Sequence, residues 1–139
     1  MHAIGLVAAW IIIGLQCAFA QTWPDRPVRI VVAFPAGGGS DTVARVLAHK
    51  LGETFGQRFF VENKPGASGM IGAQLVAKGE PDGYTFLVGS PAEIALNQSL
   101  FAEMTYDSER DLAPITLLAC AAPISSASCR TFSISTIRA

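Results

Sequence analysis

A glycine-rich segment follows a strongly β-branched run, and its residue types suit the binding of an anion. It reads Phe34-Pro35-Ala36-Gly37-Gly38-Gly39-Ser40-Asp41. Glycines carry no side chain, so a ligand can contact the backbone N–H groups directly. Ser40 and Asp41 are good N-cap residues, and the helix that they begin supplies a partial positive charge and free donors. The segment predicts a carboxylate or phosphate site, with a plain strand-to-helix turn as the alternative.

A second strand-to-helix junction carries further polar groups. It reads Gly89-Ser90-Pro91-Ala92-Glu93. Ser90 could cap the following helix or donate to a ligand, and Pro91 suits the first helical position. Glu93 falls in the first turn, where a negative charge suits the helix dipole. This junction therefore predicts a second ligand contact at Ser90, with capping as the alternative role.

The residues for enzymatic or metal chemistry are missing from the sequence. Nucleophilic catalysis needs an oriented base, and the histidines, His2 and His49, are not plausible partners for Ser40 or Ser90. No lysine follows the glycines as in a P-loop, and their spacing does not fit a dinucleotide-binding fingerprint. No Cys-x-x-Cys and no Cys/His cluster occurs. We therefore predict no catalytic residue, no metal and no cofactor.

The composition excludes several classes of protein. The chain has 139 residues, 50% of them hydrophobic and 15% charged, with a formal net charge of −1. A nucleic-acid-binding protein would need a basic face, so nucleic acid is not an expected partner. No run after the N-terminal segment reaches the ~18 apolar residues of a membrane span.

The N-terminal segment resembles an export signal. Residues 3–15 are apolar except for two glycines, and Ala18-Phe19-Ala20 supplies the small residues that signal peptidase requires. We predict a signal peptide over residues 1–20, with cleavage before Gln21. A buried core helix and a lipoprotein anchored at Cys17 are the alternatives.

Strand and helix patterns alternate along the rest of the chain. The predicted strands cover residues 28–34, 59–62, 85–89 and 115–119, and helices are predicted over residues 41–55 and 71–78 and from Ser90 onward. Such alternation predicts an α/β fold with a mostly parallel sheet and flanking helices. In these folds ligands bind beyond the carboxyl ends of the strands, where both polar junctions fall.

The end of the chain has a different composition. Seven of the twelve residues from Ser125 to Thr136 are Ser or Thr, without acids or turn residues. We predict that residues 123–139 form an atypical tail, either flexible or translated in a wrong reading frame.

Several motifs together resemble one family of proteins. They are residues 24–41, Val61-Glu62-Asn63-Lys64-Pro65-Gly66-Ala67-Ser68-Gly69, Pro81-Asp82-Gly83-Tyr84-Thr85, Glu93-Ile94-Ala95-Leu96-Asn97 and residues 106–114. In order and spacing they resemble the Bug family, the periplasmic substrate-binding receptors of tripartite tricarboxylate transporters. The similarity covers residues 23 to about 119.

The resemblance implies a periplasmic-binding-protein fold of the Venus-flytrap type, in which two lobes close on a small organic acid. It implies ligand contacts from residues 34–40 and Ser90, a bracing role for Asp41, and the membrane components of the transporter as partners of a periplasmic monomer. Family members are longer, so residues 21–122 are expected to form only part of the first lobe. A small exported enzyme acting on an acidic substrate is the alternative function.

Overall fold

The computed structural model describes residues 22–101, 103–121 and 130–137. The predicted signal peptide, residues 1–20, lies outside the described residues. Three parallel strands form one side of the sheet: β1 (Val28–Val32), β2 (Phe59–Asn63) and β3 (Thr85–Gly89). Val32 is in register with both Asn63 and Val88, so the carboxyl ends of the three strands lie along one edge of the sheet.

Helices cover both faces of this sheet. Helix α1 (Gly39–Phe55) packs on the face that carries Val28, Ile30 and Val32. Helix α2 (Met70–Ala77) packs on the opposite face, against Val31, Ala33 and Leu87. Alternate residues of β1 therefore enter two separate core clusters, as expected of a strand that is buried on both sides.

Shorter elements and two further strands complete the described part. A π-helical turn (Ala92–Leu96) continues into α3 (Asn97–Leu100), and α4 (Ser108–Asp111) precedes β4 (Leu112–Ala121) and β5 (Arg130–Ile137). The strand order is β2-β1-β3-β5-β4. Strand β5 is antiparallel to both neighbours, so β4 runs in the same direction as β1–β3. The predicted α/β fold with a mostly parallel sheet and flanking helices is confirmed.

The end of the chain differs from the expectation of a flexible tail. Residues Arg130–Ile137 form β5, which inserts between β3 and β4. The physical reason is the residue content: Thr, Ile and Phe favour extended backbone, and Phe132 and Ile134 alternate with Thr131, Ser133 and Ser135. Strand β4 is also longer than the predicted strand over residues 115–119.

Aromatic residues close the opposite edge of the sheet, where β1 and β2 begin. The Trp23 ring meets the Phe55 ring at a centroid distance of 5.3 Å and the Phe59 ring at 6.5 Å, both edge to face. Its indole Nε1 donates a hydrogen bond to the Gly83 carbonyl over 3.3 Å. The first described residues are thereby fixed at the amino edge of the sheet.

Candidate functional site

The first loop, residues 34–41, leaves the carboxyl end of β1 and enters α1. Pro35 to Gly39 are exposed, whereas Ser40 and Asp41 are buried. Gly37 has a φ of +85°, a backbone conformation that favours glycine. Gly38 is the N-cap of α1 with a φ of −78°, and no side chain caps the helix at this position. An exposed backbone at a helix start is a suitable surface for an anion.

A buried carboxylate holds this loop in shape. Asp41 Oδ2 accepts hydrogen bonds from Gly37 N and Arg45 Nε, each at 2.9 Å, and Oδ1 accepts one from Asn63 Nδ2 at 3.0 Å. The bond from Arg45, with further bonds from the Gly37 amide and Asn63, lowers the pKa of Asp41 to about 2. Asn63 Nδ2 also donates to the Phe34 carbonyl over 3.1 Å. Asp41 and Asn63 therefore brace the loop from below, and Asn63 ties it to the end of β2.

The second loop, residues 64–69, follows β2 and has an unusual backbone. Four consecutive residues have positive φ: Gly66 at 131°, Ala67 at 46°, Ser68 at 54° and Gly69 at 86°. Such values cost free energy in Ala and Ser unless the surroundings fix them. One fixing contact is the hydrogen bond from Asn97 Nδ2 to the Ser68 carbonyl, at 3.1 Å. This contact joins the second loop to the helix that follows β3.

The third junction, after β3, is built around Ser90 and Glu93. Glu93 Oε1 accepts a hydrogen bond from Ser90 N and Oε2 lies 2.7 Å from Ser90 Oγ, while Ser90 Oγ also accepts from Ala92 N at 3.3 Å. Glu93 thus supplies one half of a capping box by accepting from the Ser90 amide, whereas the Ser90 hydroxyl accepts from the Ala92 amide and not from the Glu93 amide. Glu93 is fully buried and Ser90 is half-buried. Burial raises the pKa of the Glu93 carboxyl above its usual value, against the hydrogen bonds from Ser90.

Neighbouring elements enclose the Glu93 side chain tightly. A Cβ atom added to Gly69 or to Gly89 would lie 3.2 Å from one of its carboxylate oxygens. The Tyr106 hydroxyl donates to the Glu93 carbonyl over 2.6 Å, and burial followed by the charge of Glu93 raises the pKa of Tyr106 to about 12. The two glycines are thus required by the space that Glu93 occupies between the second loop and β3.

The predicted site residues share one edge of the sheet because the ends of β1, β2 and β3 are in register. The sequence predicted residues 34–41 and Ser90 there, and the structure places both at this edge. Sequence reasoning assigned no role to Asn63 or Asn97, and it explained Glu93 by the helix dipole alone. The Ser-x-x-Glu spacing of Ser90 and Glu93 was the signal that would have indicated their pairing.

The charged donors at this edge are paired with carboxylates, as Lys64 Nζ is with Glu62 Oε1 at 2.8 Å. Arg45 is engaged by Asp41 and also lies 3.4 Å from Asn63 Oδ1. Within the described ranges, no three His, Cys, Asp or Glu side chains group closely enough to hold a metal ion. Nor does any helix in those ranges have the length and hydrophobicity to cross a membrane. The chemistry available is hydrogen bonding to an anion from backbone N–H groups and hydroxyls.

The fold is that of periplasmic binding proteins, and comparison with known proteins defines the family. The chain matches the tripartite tricarboxylate transporter family receptor over residues 43–137, and it belongs to that family. Protein BugT of Bordetella pertussis is 42% identical over 100 residues, which cover 71% of this chain and 31% of BugT. A UPF0065 protein of Bordetella bronchiseptica is 41% identical over 103 residues, covering 74% of this chain and 31% of the relative.

Solved structures give the same result. The chain is similar to Rpa4515 of R. palustris, solved with adipate, with a TM-score of 0.68 and 43% identity over 70% of this chain and 33% of that one. It is similar to MatC of Rhodopseudomonas palustris, solved with bound malate, with a TM-score of 0.66 and 38% identity over 69% and 33%. The chain spans about a third of the length of these relatives.

Proposed function

We propose that this chain is the carboxylate-capturing part of a periplasmic solute-binding receptor for a tripartite tricarboxylate-type transporter. In this proposal residues 21–122 form part of the first of two lobes. The ligand is a small organic acid, and its carboxylate contacts residues 34–40 and Ser90. The receptor acts as a monomer without a cofactor and delivers its ligand to the membrane components of the transporter.

The observation that carries this proposal is the exposed backbone of the first loop above its buried brace. Gly37, Gly38 and Gly39 are open to solvent, while Asp41 and Asn63 hold the loop through hydrogen bonds from beneath. A loop that is rigid before binding loses little conformational entropy when a ligand arrives. Its donors are neutral, so selectivity for a carboxylate depends on their number and direction.

The known relatives support a carboxylate as the ligand class. Adipate and malate, which accompany two of the similar structures, are both small organic acids with two carboxylates. The chain aligns with about a third of those proteins, so it contributes one side of such a site. A ligand held from one side keeps much of its surface in water, and we therefore expect only millimolar affinity.

A titration with malate, followed by amide NMR, tests the proposal. We expect the amide signals of residues 37–40 and Ser90 to shift saturably. Gly38→Val is expected to abolish the shifts, because its branched side chain would occupy the space of the carboxylate. The backbone of Gly38, with a φ of −78° and only the Pro35 carbonyl at 3.5 Å from an added Cβ, accepts a side chain without strain.

Gly56→Asn is the matched control, since Gly56 ends the same helix at its other terminus. Asn tolerates the left-handed backbone of that position, so malate binding is expected to persist. Shifts confined to surfaces outside the loops, or equal binding by Gly38→Val, would contradict the proposed site.

We also propose that the chain is exported. Ala18 and Ala20 supply the small residues required before a cleavage site, so the mature chain is expected to begin at Gln21. N-terminal sequencing of the periplasmic fraction measures this directly. A mature chain that starts at Met1, or at a lipid-modified Cys17, would show that the predicted cleavage is wrong.

A further inference from the structure

The hydroxyl of Ser90 has one hydrogen and two lone pairs, and the structure engages two of these three valences. The Ala92 amide donates to one lone pair, at 3.3 Å. The short contact of 2.7 Å with Glu93 Oε2 uses either the hydrogen or the other lone pair, according to which oxygen carries the proton. The third valence points away from both partners, and Ser90 is only half-buried, so the residue is partly open to solvent.

The charge of Glu93 determines whether that third valence is a hydrogen or a lone pair. An ionised Glu93 accepts the hydroxyl hydrogen, which leaves Ser90 with a lone pair for the ligand, and a lone pair repels a carboxylate. A protonated Glu93 donates from Oε2 to Ser90 Oγ, which frees the hydroxyl hydrogen to donate to a carboxylate. The Ser90 amide bonds to Glu93 Oε1 in both states, so it offers the ligand nothing in either.

We propose that Glu93 is a positioning residue whose proton sets Ser90 as a hydrogen-bond donor, so that a carboxylate binding at Ser90 takes up one proton from solution. This inference rests on the proposed function for the ligand. It concerns a fully buried carboxyl that acts on the ligand only through its hydrogen bonds with Ser90. The proton moves from solvent to Glu93 Oε2, and no covalent bond other than that O–H forms.

The surroundings of Glu93 leave the proton as the main means of neutralising it. The side chains and backbone that face it come from the second loop (Gly69), from the end of β3 (Gly89 and Ser90) and from the segment before α4 (Tyr106). Of these only Tyr106 titrates, with a pKa of about 12, so it stays neutral near neutral pH. No ion pair among the described residues includes Glu93.

The first test is the pH dependence of malate binding, measured by amide NMR on the whole chain. Above the pKa of Glu93 in the free protein, linkage predicts an affinity that falls by up to about tenfold per pH unit. We expect the affinity for malate to be lower at about pH 8 than at about pH 6. Malate is almost entirely a dianion over this range, so a large change in affinity belongs to the protein.

Glu93→Gln tests the role of the proton, because glutamine keeps the size and shape of the side chain but does not titrate. Its Oε1 can accept from the Ser90 amide and its Nε2 can donate to Ser90 Oγ, which reproduces the protonated state. This variant is expected to bind malate within about twofold of the same affinity at both pH values, by the linkage argument. Glu80→Gln, at an exposed acid, is the control and should retain the pH dependence of the parent. A parent affinity that does not change with pH would overturn the inference.

A titration of the free chain tests the hydrogen bond between Ser90 and Glu93 independently of ligand binding. The Glu93 carboxyl carbon is followed by ¹³C NMR in the parent and in Ser90→Ala. Loss of a hydroxyl that donates to the ionised carboxyl should raise the pKa of Glu93 further. An unchanged pKa would overturn the inference. If no variant binds malate at any pH while this pKa does rise, the proposed function is wrong for the chain and the control of Ser90 by Glu93 is upheld.

Discussion

The shape of the first loop depends on one residue, Asp41, through its ionised carboxylate. It accepts three hydrogen bonds, from Gly37, Arg45 and Asn63, and its pKa is lowered to about 2. The folded state thus favours the charged form more than the unfolded state does. The resulting stability is fully present above the ordinary pKa of 3.8 and is lost as the pH falls toward about 2.

Asp41→Asn is therefore expected to lower the free energy of unfolding at about pH 7, and less so near pH 2, by this linkage. An amide has one acceptor oxygen, so its NH₂ group would face the donors of Arg45 or Asn63. Urea unfolding followed by circular dichroism at several pH values measures the difference. Glu80→Gln, at an exposed acid, should show no such pH-dependent difference. A constant difference between Asp41→Asn and the parent would show that Asp41 carries no altered pKa.

Individual site residues were predictable to different degrees. The position of Gly37 to Asp41 at a helix start could be predicted, because a run of glycines before a helix is a pattern local in sequence. Asn63 could not, because its partners Phe34 and Asp41 lie 29 and 22 residues away and meet it only through the parallel register of β1 and β2. Glu93 was explained by the helix dipole alone, because nothing local shows that Gly69 and Gly89 leave space to bury its side chain.

At the scale of elements, the contact between α2 and the sheet depends on Gly72. A Cβ atom there would lie 2.9 Å from Ala33 Cα and 3.0 Å from the Lys64 carbonyl oxygen. Gly72→Ala is expected to destabilise the fold by about 1–3 kcal/mol because backbone must move. The expected change in stability is opposite to the usual one, since replacing a helical glycine by alanine normally stabilises a protein.

Gly52→Ala in α1 is the matched comparison for that substitution. Its added Cβ would lie 3.4 Å from the Gln57 carbonyl oxygen, an ordinary contact. We expect it to stabilise the protein by about 0.5–1 kcal/mol, as in other helix interiors. Urea midpoints of both variants measure the contrast, and a stabilising Gly72→Ala would mean that α2 does not lie so close to β1.

Elements with strong periodicity were predicted well, and β5 was not. Helix α1 follows from the spacing of Val43, Leu47 and Leu51, and β1 follows from its β-branched run. Strand β5 was hidden because its many Ser and Thr residues resemble a loop in composition, although they alternate with apolar ones. Its position between β3 and β4 depends on pairing with distant strands, which no local pattern specifies.

At the scale of the whole molecule, β5 is the link between the parallel strands and β4. Strand β4 pairs with β5, and β5 pairs with β3. A chain that ends at residue 121 is expected to lose its cooperative unfolding transition, because β3 becomes an open edge and β4 loses its partner. Removal of residues 138–139 alone is the control. An unchanged urea midpoint for the shorter chain would show that β5 does not hold the sheet together.

The Trp23 cluster lies at one end of the parallel strands, and the loops that we propose as the ligand-binding surface lie at the other end. Trp23 packs where β1 and β2 begin, whereas the three loops leave the far ends of the strands, roughly 17 Å away for a five-residue strand. Trp23 itself therefore lies at the end of the strands opposite the loops. Immobilisation of the chain through a tag placed directly before Trp23 is expected to leave the proposed ligand-binding loops accessible to free ligand.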